Sequence, residues 1–131
     1  MGRRKHNMAE RLKEERRNRV TAKLRFYRKS ARKVRLVADL IRGKKVSDAL
    51  NILKFTRKGS AADLEKLLVS ALNNWEQKFP DKDIEDTDLY VKEIKVDEAG
   101  MLKRIQPAPQ GRAHRIRKRL SHITIELAEK E

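Results

Sequence analysis

The stretch Leu89–Leu127, LYVKEIKVDEAGMLKRIQPAPQGRAHRIRKRLSHITIEL, constrains the fold more than any other part of the chain. Two β-prone runs, Leu89–Asp97 and Arg117–Leu127, flank a segment rich in Gly, Pro and Arg. This pattern reads as two antiparallel strands joined by a long connection. In the returning strand Ile123, Ile125 and Leu127 recur at period two and would face a core. Nearer the tip Arg115, Arg117 and Arg119 recur at the same period behind Ala113, so that face is cationic where a core strand would be apolar. Ile116 and Leu120 lie on the other face. The apolar side therefore changes between Leu120 and Ile123, where a bulge or a twist is expected. With most of Lys95–Leu120 extended, each limb of about 12 residues would reach ~40 Å at ~3.3 Å per residue. An arm of that length cannot bury itself against a domain of 131 residues. It requires something large and negatively charged to lie in.

The charge is abundant and also placed. The chain holds 34 Lys+Arg against 19 Asp+Glu, a formal net charge of +15. Residues 1–45 are net +14, residues 46–100 net −4 and residues 101–131 net +5. Two cationic ends flank an acidic middle, which argues for a polyanionic partner through counterion release and long-range attraction. The length fits one domain. The absence of cysteine excludes disulfides and thiolate metal sites. No apolar run approaches the ~18 residues of a membrane span, and Glu10, Glu14 and Glu15 argue against an acid-poor transit peptide. His6 stands where a myristoylation site would want Ser or Thr. A soluble cytoplasmic protein is expected, with no membrane contact.

Residues 1–20 are almost wholly polar and form a basic extension. They fit a tail that is disordered off RNA and an arm that orders along a phosphate backbone on binding. Residues 21–131 read as a single domain that includes the extended hairpin 95–120. Val20–Arg28 alternates as a strand, with Leu24 and Phe26 on one face and Lys23 and Arg25 on the other. Ser30 is placed to cap a helix that ends at Arg42, with Gly43 as its C′ residue. Val34, Val37, Ala38 and Ile41 form its buried stripe. Arg32, Arg35 and Arg42 share another side with Asp39, either as a solvated face or as a phosphate-contacting one. A second helix begins near Ser47 and turns Val46, Ala49, Leu50 and Leu53 inward. Ser60 and Asp63 have capping-box spacing for a third helix, whose stripe Leu64, Leu67, Leu68, Ala71, Leu72 and Trp75 is the most regular in the chain. Trp75 reads as core. Asp81–Asp88 is an acidic, solvated loop, since Asp86 and Lys92 stand where a calcium loop needs Gly and Glu.

Catalytic patterns are poor. Ser30-Ala-Arg-Lys33 matches a short acyl-transfer pattern that is common by chance, and Ser30 serves better as a cap. His6, His114 and His122 lack metal-ligand spacing, and Gly43, Gly59, Gly100 and Gly111 are isolated, so no cofactor or metal is expected. The positive signal is Met101–Arg112, which mixes apolar, cationic and Pro residues without period. Pro107 and Pro109 lack an N–H and would stiffen the backbone without regular pairing. Arg can engage phosphate bidentately and stack on bases. Folded RNA offers clefts for such a segment, whereas smooth duplex DNA does not. An aromatic content of 5% counts against a stacking platform for single strands.

Two motifs carry a resemblance. Ser30–Gly43 (SARKVRLVADLIRG) resembles the S-x-R-K-x-R-L-V-x-D-x-I-R-G signature of the bacterial large-subunit ribosomal protein family numbered twenty-two. Leu102-Lys-Arg-Ile105, Gly111–Arg119 and Ser121–Thr124 resemble that family's long hairpin, and the likeness covers roughly Ala22–Lys130. The resemblance implies an α+β fold of three helices packed on a three-stranded antiparallel sheet, with a long protruding hairpin. It implies a non-enzymatic constituent of the large subunit, ribosome-bound in the cytoplasm. Such a protein binds large-subunit (23S) ribosomal RNA, bridges several RNA domains during assembly, and lines the nascent-peptide exit tunnel with its hairpin tip, whose loop can affect macrolide antibiotics. Neighbouring ribosomal proteins and the nascent peptide are the further partners, with no homo-oligomer. Carried across by position, Arg32, Lys33, Arg35, Arg42, Lys44 and Lys45 form the helix-one RNA-binding set. Lys103, Arg104, Arg112, Arg115, Arg117, Lys118 and Arg119 form the hairpin set. Met101, Leu102, Lys103, Arg104, Ile105, Gln106, Pro107, Ala108, Pro109 and Gln110 form the tunnel-lining tip. His114 replaces the usual Asp, Ala108 and Gln110 replace residues that are often basic, and the first 20 residues exceed the family's short N-terminus. The competing reading is a general nucleic-acid chaperone or DNA-compacting protein, which the charge permits but the arm does not require.

Overall fold

The computed structural model describes residues 2–131. Among them are a helix α1 (Gly2–Asn18), a strand β1 (Val20–Tyr27), three helices α2 (Ala31–Ile41), α3 (Val46–Phe55) and α4 (Ala61–Lys78), and two long strands β2 (Leu89–Pro107) and β3 (Ala113–Glu129). The strands form one antiparallel sheet in the order β1-β3-β2. Helices α2, α3 and α4 pack on one face of that sheet, which is the expected α+β arrangement.

The helix stripes fall as their spacing predicts. Val34, Val37, Ala38 and Ile41 of α2 are fully buried, as are Leu64, Leu68, Ala71 and Trp75 of α4. They meet Val91, Ile94, Ile123 and Ile125 from the sheet, and Leu53 from α3 joins them. The caps differ from expectation. Neither Ser30 nor Ser60 makes a side-chain cap bond, and Asp63 accepts the Tyr27 hydroxyl instead of closing a box with Ser60. Burial, together with the Asp63 hydrogen bond and charge, holds the Tyr27 phenol well above its ordinary range, so it remains a neutral donor.

The helices also seal the sheet edges. On β2, Gly43 N–H donates to Val91 O at 3.0 Å and Val91 N–H to Lys44 O at 2.9 Å. Further along, Arg42 Nη2 donates to Ile94 O at 3.1 Å, and Arg35 donates to Val96 O through Nε at 3.1 Å and Nη2 at 2.9 Å. On β1, Asn74 Nδ2 reaches Thr21 O at 3.1 Å and Lys78 Nζ reaches Arg19 O at 2.6 Å. These bonds occupy backbone N–H and carbonyl groups in or beside the edge strands that would otherwise be open for pairing.

Beyond the caps, four features add to or correct these expectations. First, Gly2–Asn18 within the basic extension is helical. Arg, Lys, Glu, Met, Leu and Ala are good helix formers, and His6–Glu10 and Arg11–Glu15 meet at i,i+4, at 3.0 and 3.5 Å. No residue of α1 is buried, so only local terms of a few tenths of a kcal/mol per pair hold it. Second, the connection at the tip is short. Met101–Pro107 pairs regularly with Ala113–Arg119, and a turn of Ala108–Arg112 closes the hairpin. Third, β3 carries no bulge between Leu120 and Ile123; the extra residue lies on both its neighbours. Glu98↔Ser121 to Met101↔Arg119 takes one more step on β2 than on β3, and Leu24↔Ile123 to Tyr27↔Ser121 one more on β1. Fourth, Phe26 does not share a face with Leu24. It occupies that β1 bulge with φ 52° and is exposed.

Ser121 lies at the level of both bulges, fully buried, with its hydroxyl unpaired among the described residues. An unsatisfied buried hydroxyl costs about 1–3 kcal/mol. Ser121→Ala is expected to leave stability unchanged or raise it in urea unfolding, whereas Trp75→Ala loses about 3–5 kcal/mol. A clear loss for Ser121→Ala would show that the hydroxyl has a partner.

Candidate nucleic-acid interface

The last buried residues of the long strands are Val96 on β2 and Ser121 on β3. Everything between them projects from the domain as a two-stranded ribbon. Residues 99–120 hold seven Lys or Arg and no Asp or Glu. The register sorts these charges into two faces. Because β3 is continuous, Arg115, Arg117 and Arg119 extend the line of Ile125, Ile123 and Ser121, so the core face of the strand becomes the cationic face of the arm. Opposite them stand Ile105, Lys103 and Met101. Lys103 thus faces Arg117 directly, a like-charge pair that is destabilising in an isolated sheet. The other face carries Lys118 opposite Leu102, Arg104 opposite Ile116 and His114 opposite Gln106. Among the described residues none of the seven cations makes an ion pair, while lysines and arginines elsewhere in the domain do.

At its root the arm meets the start of α2 and the loop before α4 across a groove of about 1180 Å³. Arg28, Lys29, Lys33 and Lys58 line one side; Arg104, Arg117, Lys118 and Arg119 line the other; Leu102, Ile116, Leu120 and Leu36 are the apolar contribution. No acidic residue lines it, so the groove suits an anion with apolar surface, as a nucleotide strand has. A neighbouring cleft brings Arg32, Lys33 and Arg119 together with Glu98. Lys33 and Arg32 therefore join the hairpin set in one surface.

The remaining helix-one residues are placed differently. The guanidinium groups of Arg35 and Arg42 are bonded to the edge of β2, and Arg42 also pairs with Asp39. Lys45 pairs with Asp88 at 3.4 Å, and Lys44 is exposed. Arg28 and Lys58 were not singled out from the sequence, because no periodicity links residues that meet only across the groove. At the tip Ala108 N–H donates to Arg112 O at 2.8 Å. Gln110 and Gly111 both adopt left-handed backbone there, with φ 64° and 71°. Residues Met101–Pro107 are all exposed, Ile105 to 71%. Among the described residues no His, Asp and Glu cluster could hold a metal ion, and no helix is long and apolar enough to cross a membrane.

A family model described as Ribosomal protein L22p/L17e matches residues 22–128. The chain belongs to this family. Its members are structural ribosomal proteins, not enzymes. Relatives named Large ribosomal subunit protein uL22 are similar along nearly the whole chain. That of Flavobacterium johnsoniae is 57% identical over 97% of this chain and 93% of its own length. That of Christiangramia forsetii is 55% identical over 97% and 94%, and that of Porphyromonas gingivalis 54% identical over 95% and 92%. The family model begins at residue 22, but the first two matches cover 97% of the chain. Most of α1 therefore lies within the region shared with these relatives.

Replacing Arg115, Arg117 and Arg119 together by Ala tests the interface. With ~3 phosphates no longer neutralised, the slope of log K against log salt for large-subunit ribosomal RNA should fall by about 2 to 3 units. The isolated domain should keep its stability, since these side chains make no ion pair in it. An unchanged slope would place them away from the RNA backbone.

Proposed function

We propose that this protein is a constituent of the large ribosomal subunit that binds ribosomal RNA through its arm and the groove at the arm's root. It bridges RNA segments during assembly and lines the nascent-peptide exit tunnel with its tip, in the bacterial cytoplasm. The observation that carries the reading is the arm's uncompensated charge. Lys103 stands directly opposite Arg117, and no acidic residue among residues 99–120 offsets the arm's seven cations. A phosphate backbone supplies the missing counter-charge continuously along the ribbon. The groove supplies a second contact at the root, so one molecule can hold RNA at two places separated by the arm's length. Family membership supports the ribosomal setting, and it leaves the general nucleic-acid chaperone or DNA-compacting reading without an observation of its own.

The tip is suited to a wall more than to an anchor. Gln106–Gln110 carries no charge, and Arg112 is the first cation on the return. The tip can therefore border a channel through which a peptide of any charge passes, while the cations behind it hold RNA. Ile105 and Arg115 face one another in register, so Gln106–His114 can be replaced by Asn-Gly, which favours a two-residue hairpin turn. The shortened protein is expected to fold and to enter large subunits. A photo-reactive side chain at Gln110 in the full-length protein should cross-link to a stalled nascent chain. Absence of the cross-link, or failure of the folded, shortened protein to enter subunits, would overturn the division between anchoring arm and tunnel-lining tip.

A further inference from the structure

The face of the sheet turned away from the helices holds a group that neither the core nor the arm uses. β1 carries an extra residue opposite β3, and Phe26 takes it up in the left-handed backbone region, with φ 52°. That conformation is unfavourable for a bulky residue. Its consequence is to turn Phe26 outward, on the side of Lys23 and Arg25, and to return Tyr27 to the helix side opposite Ser121. Phe26 is 64% exposed. It is nonetheless fixed from two directions. Phe26 N–H donates to His122 Nδ1 at 3.1 Å. The His122 ring meets the Phe26 ring edge-on, with centroids 4.8 Å apart and planes at 81°. With Nδ1 accepting, the imidazole carries its proton on Nε2. Phe26 is thus braced by His122 and still leaves most of its surface to solvent, which packing within the domain does not require.

Its surroundings indicate the ligand. Lys23 and Arg25 on the same strand are exposed, and neither makes an ion pair among the described residues. In register, Thr124 lies between Lys23 and Lys95, and Lys95 pairs with Glu93 at 3.1 Å. Asp97, opposite His122, is the carboxylate of the row that holds Phe26. An incoming phosphate is thereby directed to the β1 side. A single ring flanked by free cations is too small an apolar area to seat a protein partner, but it matches the π-face of one base with its backbone alongside.

We infer that Phe26 is a stacking platform for one unpaired base of RNA, braced by His122, with Lys23 and Arg25 engaging the adjoining phosphate. The inference rests on the reading of this protein as an RNA binder. It revises the expectation from aromatic content, since one correctly held ring suffices. Phe26→Gly removes the ring and also relieves the left-handed strain, so this variant should be at least as stable as Phe26→Ala in thermal unfolding. Both should bind large-subunit ribosomal RNA roughly 5- to 100-fold more weakly than wild type, and Phe26→Trp should restore binding. The salt slope should stay at the wild-type value, because every cation that meets a phosphate is still in place. Ultraviolet irradiation of assembled large subunits should give a nucleotide adduct on the Phe26 peptide. Wild-type affinity in a folded Phe26→Gly protein would overturn the platform while leaving RNA binding by the arm intact, as would a cross-link at this position to a protein peptide. Failure of the wild-type protein to bind large-subunit ribosomal RNA at any salt concentration would overturn the RNA-binding reading itself, and the platform with it.

Discussion

Two strands that leave a core together carrying only cations gain little stability from each other. An isolated two-stranded ribbon is marginal in water even without repulsion, and here Lys103 opposes Arg117 with no acidic residue among residues 99–120. The rest of the molecule is arranged to hold the base of that ribbon firmly while leaving its length free. β3 is shared by both β1 and β2, and its apolar row Ile123, Ile125 and Leu127 anchors it in the core before the same row turns cationic. The bulges on β1 and β2 fall at the level where the core ends, which increases the local twist as the arm departs.

Helix α2 contributes more to this anchoring than its charge suggests. Its motif is dense in basic residues, all of which could face a polyanion. Two of them do not face outward freely. Arg35 and Arg42 donate to successive outward carbonyls of β2, and Gly43 with Lys44 continues the seal to Val91. The edge of β2 is thus occupied along the residues that lead into the arm, which blocks strand addition and fixes the arm's direction relative to the helix. Lys33 and Arg32, one turn away, line the clefts at the arm's root. One short helix therefore orients the arm with some of its cations and extends the arm's charged surface with others.

Much of this was legible in the sequence, for a simple reason. Wherever a face is buried, burial imposes a period, and the stripes of α2 and α4 and the alternation of Ile123, Ile125 and Leu127 could be read directly. The paired tip could not. Met101–Pro107 is exposed on both faces, so no period marks it as a strand, and Pro107 is tolerated because it sits at the strand's last position. Phe26 was misplaced because alternation along β1 says nothing of a bulge that is set by pairing with a strand almost a hundred residues later. The bonds that Arg35 and Arg42 make to the edge of β2 could not be read either, because they are tertiary facts with no local signature. For α1 the helix-forming composition was present, but without a buried face it carried no stripe to distinguish it from a tail.

Hydrogen exchange of the backbone amides separates a ribbon that RNA must order from one that is stable by itself. In the free protein, the amides of Ile123 and Ile125 on the central strand should be strongly protected while those of Met101–Gln106 and Ala113–Arg119 exchange quickly. On addition of large-subunit ribosomal RNA, the second group should become protected as well. Equal protection of the arm with and without RNA would contradict the account, since the ribbon would then be stable despite its own charge.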